Sequence, residues 1–154
     1  VLNSKGAVRR LPMEELISPQ GKLALAEDEA ITAFEIPLPA PGNCNAFVKL
    51  GEQAHVTIAK ISLAVSLTLR DGRMEQVHLA LGAVARRAFL ARSADALEGQ
   101  TLSPDLLPTF FRTLSSEIEA SIPDRPSMPY KRQAVKGLAD DLLSALAAQV
   151  PERP

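Results

Sequence analysis

Lys49, Cys44, His55, His78 and the pair Arg86 and Arg87 are the side chains of this chain with chemistry beyond folding. His55 stands in a polar loop, but its neighbours Glu52 and Thr57 provide neither triad nor metal-ligand spacing. His78 alternates with Val77 and Leu79, which reads most simply as an exposed strand residue. Cys44, the single cysteine, lies in the loop-like run PAPGNCN without a base nearby, so neither a nucleophile nor an internal disulfide is expected. Two histidines far apart make a poor metal site. The segment LALGAVARR offers a glycine and two arginines, which suit a solvated corner as well as an anion site. Neither a Walker loop nor GxGxxG is present. Lys49 differs from these. It ends the apolar run AFVKL, ahead of the polar loop GEQAHVT, where it could meet an anionic ligand or cofactor or stand as a solvated edge lysine.

The elements that must position these residues follow from composition and period. At 154 residues, with 46% hydrophobic and 23% charged content, the chain is long enough for one buried core without staples. Seventeen basic against eighteen acidic residues give a net charge of −1, which leaves no electrostatic footprint for nucleic acid or anionic lipid. No apolar run reaches the roughly 18 residues of a transmembrane helix. The lone cysteine fits a reducing, cytoplasmic setting. The chain opens at Val1 with neither methionine nor a signal-peptide pattern and is expected to be a segment of something longer.

Residues 1–30 read as connection, with short helical turns at MEEL and LAEDEA. ITAFEIPLP predicts a short strand ending at Ile36, where prolines stop pairing. AFVKL starts a strand, and from Ile58 to Leu69 strict alternation predicts a long half-buried one. Asp71-Gly72 then signals a hairpin. A two-residue loop would pair Leu69 with Met74 and set Val65 against His78, splitting the apolar face. A three-residue loop, Arg70-Asp71-Gly72 with a bulge at Gly72, sets Val65 against Val77, Leu63 against Leu79 and Ile61 against Leu81, and is the expected register. Three helices follow: a short one within residues 89–99, one over 103–121 with Ser103 as cap and a separate or kinked first turn at Pro108, and one from about Tyr130 to Ala148. The second buries Leu107, Phe110, Phe111, Leu114 and Ile118; the third buries Ala134, Leu138, Leu142, Ala145 and Leu146. Lys131 and Arg132 stand in the last helix's first turn against its dipole, so something other than helix stability is expected to use them. Strands followed by helices predict an α+β fold, an antiparallel sheet of three to four strands covered on one face by three helices, with a polar outer face of Ser62, Ser66, Thr68, Gln76 and His78.

The run from Ala46 to Leu102 resembles the C-terminal domain of the FAD-binding medium subunit of the molybdenum hydroxylases, the family of carbon monoxide dehydrogenase and xanthine dehydrogenase. RRLPMEEL resembles the end of the preceding flavin-binding domain, EDEAITAFEIPLP the opening strand of this one, and RPSMPYKRQAVKGLADDLL its final helix. The resemblance implies residues 1–20 as the tail of the FAD-binding domain or a linker and 21–150 as the α+β domain. It implies an oxidoreductase that works at a molybdopterin centre in a large subunit. Electrons would pass through 2Fe–2S clusters of a small subunit to FAD and on to an acceptor. Within that frame Lys49 is the flavin-contacting lysine, Ile31 a flavin-packing aliphatic residue, and Leu50 and Gly51 begin a loop beside the isoalloxazine ring. This loop has Glu52, Gln53, Ala54, His55, Val56 and Thr57 where xanthine dehydrogenase has paired arginines and acidic residues, so nicotinamide is not implied as acceptor. The glycine-rich turns for the FAD pyrophosphate belong to the preceding domain, and this segment alone is expected to bind FAD poorly and not to be catalytic. A structural assembly module that docks through the polar sheet face and Lys131/Arg132 is the competing expectation.

Overall fold

The computed structural model describes residues 1–3, 5–52 and 57–150, which fall into two units, Val1–Pro39 and Ala40–Pro154. In the first unit, β1 (Leu2–Asn3) pairs antiparallel with β2 (Glu29–Ala30), and α1 (Met13–Leu16) is a single turn whose Glu14 and Glu15 complement the dipole at its start. Arg9 holds this unit together. Its guanidinium donates to both carboxylate oxygens of Glu29, at 2.7 and 2.8 Å, and to the Ala24 carbonyl at 2.6 Å. The strand expected to end at Ile36 does not form, because the paired stretch is Glu29–Ala30 and residues 31–39 join no ladder. Pro37 and Pro39 lack the donor that pairing needs.

The second unit is a four-stranded antiparallel sheet in sequential order: β3 (Asn43–Leu50), β4 (Ile61–Arg70), β5 (Arg73–Gly82) and β6 (Phe89–Leu90). Helices α2 (Leu107–Ser121) and α3 (Met128–Ala147) cover one face. Ile61, Leu63, Val65 and Leu67 of β4 and Leu79 and Leu81 of β5 are buried with Phe110, Leu114 and Ile118 of α2 and Leu138, Leu142 and Leu146 of α3. Each such side chain stabilises the fold by about 1.5–3 kcal/mol through removal from water.

Three helices were expected, and the first is a 3₁₀ turn. Phe89 and Leu90 extend the sheet by pairing with Leu81 and Ala80, so only Arg92–Ala96 coils. Glu117 of α2 caps that turn, accepting from the backbone N–H of Arg92 and of Ser93, both at 2.9 Å, and from the Ser93 hydroxyl. The separate first turn before α2 is present as a 3₁₀ turn, Pro104–Leu106, capped by the Ser103 hydroxyl. α3 starts at Met128, with proline in its first turn, and Val135, Ala139 and Leu143 join its buried face, while Ala134 and Ala145 are half-buried.

The hairpin register departs from expectation. Arg70 pairs with Arg73 and Leu69 with Met74, so the loop is two residues long, with Asp71 and Gly72 both left-handed at φ 51° and 78°. The register then shifts by one between Thr68, opposite Glu75, and Ser66, opposite His78, which leaves Gln76 and Val77 bulged across from Leu67. Beyond the bulge Val65 faces Leu79 and Leu63 faces Leu81. The apolar face is thus matched by a bulge inside β5 rather than at the turn. Gln76 takes φ 54° there.

Candidate functional site

Alternation along β3 decides what each face receives. Cys44, Val48 and Leu50 turn toward the core, whereas Asn45, Phe47 and Lys49 stand on the outer face. Across the sheet they meet Ser66, Ala64 and Ser62 of β4, followed by His78 and Ala80 of β5 and Leu90 of β6. Cys44 therefore lies in a strand and the core rather than in a loop. The outer face, expected to be polar, is partly apolar. Phe47 and Leu90 are 64% and 65% exposed, and with Ala64, Ala80, Ser66 and His78 they line a shallow groove of about 510 Å³. Phe47 sits two residues before Lys49, so the period of β3 carried that signal.

Lys49 pairs with Ser62, is exposed, and its Nζ donates to the Thr57 carbonyl at 3.5 Å. Leu50 is the last residue of β3, and its carbonyl accepts from the Lys60 N–H at 2.7 Å, closing the loop at its base. The Lys60 ammonium pairs with Glu52 at 3.1 Å and lies 5.9 Å from the ring centre of Tyr130 on α3. Gly51 lies between these contacts and is half-buried. In the same row of the sheet as Lys49, Gly82 faces Ser62 so closely that a Cβ there would collide with the serine hydroxyl. Lys49, Leu50 and Gly51 are thus contiguous at one end of β3. Ile31 belongs to the other unit, where it is 36% exposed and lines a cleft of about 460 Å³ with Arg9, Arg10, Met13 and Phe34.

His78 is exposed, and its Nδ1 lies 2.8 Å from the Gln76 carbonyl. His55 lies outside the described residues. Among the described residues no group of three metal-ligating side chains comes together, and no helix is long and apolar enough to cross a membrane. The two cations at the start of α3 are used within the unit. Lys131 donates to the carbonyl of Ala83, which sits at φ 62°, and Arg132 pairs with Glu119 of α2 at 3.1 Å. Burial, with a smaller push from the Arg125 charge, lowers the Lys131 pKa.

A family model described as the CO dehydrogenase flavoprotein C-terminal domain matches residues 46–146. Comparison with curated proteins gives no match. Among solved structures the chain is similar to carbon monoxide dehydrogenase from Hydrogenophaga pseudoflava, with 21% identity, a TM-score of 0.77, and 96% of this chain aligned to 51% of that one. It is also similar to carbon monoxide dehydrogenase from Oligotropha carboxidovorans, at 20% identity and TM-score 0.75, over 96% of this chain and 51% of that one. For quinoline 2-oxidoreductase from Pseudomonas putida 86 the values are 23% and 0.78, over 94% of this chain and 50% of that one. The chain spans about half the length of these solved chains, and at such identities the likeness shows the α+β fold.

Proposed function

Because the chain belongs to the CO dehydrogenase flavoprotein C-terminal domain family, we propose that it is the part of a molybdenum hydroxylase-type oxidoreductase that closes one side of the flavin pocket in the FAD subunit. In this reading residues 1–20 are the tail of a preceding FAD-binding domain or a linker, and 21–150 the α+β domain. A molybdopterin large subunit and a 2Fe–2S small subunit are the partners, electrons leave through FAD to an acceptor, and the assembly works in the cytoplasm.

The donor set at the end of β3 fits the ring end of FAD. It holds an exposed ammonium at Lys49 and, at Gly51, a backbone that another molecule can approach closely, while the Leu50 side chain turns to the core side of the strand. The sequence has no glycine-rich phosphate motif, which suits a domain that leaves the pyrophosphate to another. FAD, when bound, supplies the electron-transfer chemistry. Lys49 would contribute a fixed positive charge that favours the ring carrying negative charge on reduction.

The observation that carries this reading is the position of Lys49: exposed, on the sheet face that α2 and α3 leave uncovered, beside the Leu50–Gly51 turn. The competing assembly reading rested on the outer sheet face together with Lys131 and Arg132, and both of those cations have intramolecular partners. Lys49→Ala in the whole FAD subunit tests the proposal. FAD should dissociate more readily and the flavin midpoint potential should fall by about 20 mV, the equivalent of about 1 kcal/mol for a two-electron couple. Lys49→Arg should preserve most of both. Unchanged retention and potential in the alanine variant would remove the flavin reading.

A further inference from the structure

The turn that follows Lys49 has its own anchor, and Lys60 supplies it three times. The Lys60 backbone N–H closes the loop on the Leu50 carbonyl at 2.7 Å, its ammonium meets the Glu52 carboxylate at 3.1 Å, and the same ammonium lies 5.9 Å from the Tyr130 ring centre. Glu52 is in the turn, Lys60 immediately precedes β4, and Tyr130 is in the first turn of α3. The chain Glu52–Lys60–Tyr130 therefore ties the turn leaving β3 to a helix that is fixed by the core. The side chains of Glu52 and Lys60 are 74% and 43% exposed and Tyr130 is 52% exposed. Such exposed contacts add little to global stability because water screens them. Two contacts on one ammonium and a third on the backbone of the same residue set the direction of a short backbone stretch, a task that needs only a modest bias between conformers.

We propose that Lys60 is a positioning residue for the flavin site: by tying Glu52 toward α3 it fixes the Leu50–Glu52 backbone, and with it the direction in which Lys49 is presented. This rests on the reading that Lys49 meets the flavin. Lys60 itself touches no cofactor in the proposal and acts through the turn.

The test uses the whole FAD subunit, with FAD as the titrated ligand and thermal unfolding measured in parallel. Lys60→Ala should raise the FAD dissociation constant about three- to tenfold while the Tm stays within about 1 °C of wild type, as exposed contacts predict. Lys60→Arg should restore most of the affinity, since guanidinium also pairs with a carboxylate and stacks on an aromatic ring. Glu52→Gln and Tyr130→Leu should each give part of the loss. The double variant Lys49→Ala/Lys60→Ala should bind no worse than Lys49→Ala, because a residue acting through Lys49 has nothing left to position. If Lys49→Ala weakens FAD binding and Lys60→Ala does not, or if the two losses add, the positioning role is overturned and the flavin reading stands. An inert Lys49→Ala overturns the flavin reading itself. Should Lys60→Ala fail to fold, Glu52→Gln carries the test, and wild-type affinity in that variant overturns the proposal.

Discussion

Glu98 grips the β5 bulge at Gln76. One carboxylate oxygen accepts the Gln76 N–H at 3.0 Å and the other accepts the Val77 N–H at 2.8 Å. The bulge takes these two N–H groups out of the regular ladder, and a single carboxylate beyond the 3₁₀ turn satisfies both. Glu98→Gln keeps one acceptor oxygen and should cost about 1 kcal/mol; Glu98→Ala should cost about 2 kcal/mol. In a unit of this size each kcal/mol lowers Tm by about 4 °C. Hydrogen exchange should accelerate selectively at Gln76 and Val77, and a uniform change across β5 would argue against the clip.

Gly72 stands at φ 78° in the two-residue turn, a region where a Cβ meets the following carbonyl. Gly72→Ala should therefore destabilise by about 1–2 kcal/mol, whereas Asp71→Asn, at φ 51°, should be nearly neutral because asparagine tolerates that region. Urea unfolding of the two variants checks both.

The hairpin also shows where sequence reasoning stopped. Asp71-Gly72 announced the turn, and the alternation of Ile61, Leu63, Val65 and Leu67 announced the buried face, so the requirement that Leu63 and Val65 meet apolar partners was legible. Where the extra residue would be inserted was not. That depended on Glu98, more than twenty residues away, being placed to satisfy the bulge. Residues 89–99 carry a helical pattern in sequence that the fold overrides for a similar reason. Glu117 and the edge of β5, both distant in sequence, turn that stretch into a strand and a 3₁₀ turn. The Lys49–Leu50–Gly51 corner could be marked from one stretch of chain, but Tyr130 beside Lys60 appears only once α3 is folded against the sheet.

Glu29 gives the first unit a pH dependence of definite sign. Its hydrogen bond from Arg9, with the Ala26 N–H next, holds the carboxyl down to about 2. The ordinary value in an unfolded chain is about 4.3. A depressed carboxylate contributes stability that is complete above that ordinary value and is lost as pH falls through the folded one. The Arg9–Glu29 pair should thus hold β1 against β2 above about pH 4.3 and release it progressively toward pH 2. The carboxyl chemical shift of Glu29 reports the titration. Glu29→Gln should fall below wild type in β2 amide protection at pH 6, the gap should narrow as pH falls toward 2, and raised salt should narrow it too.

Lys131 answers a carbonyl that the chain has twisted out of reach of the ladder. Ala83 takes a left-handed conformation just after β5, and the Lys131 ammonium donates to its oxygen. Lys131→Met keeps most of the aliphatic packing and removes the donor, which should cost about 1–2 kcal/mol. Ala83→Gly relieves the backbone at φ 62° and should be neutral or stabilise by up to about 1 kcal/mol. Thermal unfolding of the two single variants should move in opposite directions or leave only the lysine variant weakened. Destabilisation by Ala83→Gly would show that the conformation carries no strain.

Gln149 acts at the other edge of the sheet. Its amide accepts the Asn45 N–H at 3.3 Å and donates to the Asn45 carbonyl at 2.9 Å, occupying backbone groups of edge strand β3 as a neighbouring strand would. A second bond from the same amide nitrogen to the Ala145 carbonyl, also 2.9 Å, fixes it to the end of α3. Uncapped edges invite pairing with other chains, and the exposed ring of Phe47 two residues on adds apolar surface beside this one. Gln149→Ala should cost about 1 kcal/mol. It should also shift the sedimentation profile toward larger species as concentration rises. Adding Phe47→Lys should return the profile to that of wild type, because a charged side chain on an edge strand opposes pairing. A Gln149→Ala variant that loses stability without any concentration-dependent association would confine the amide to a local packing role.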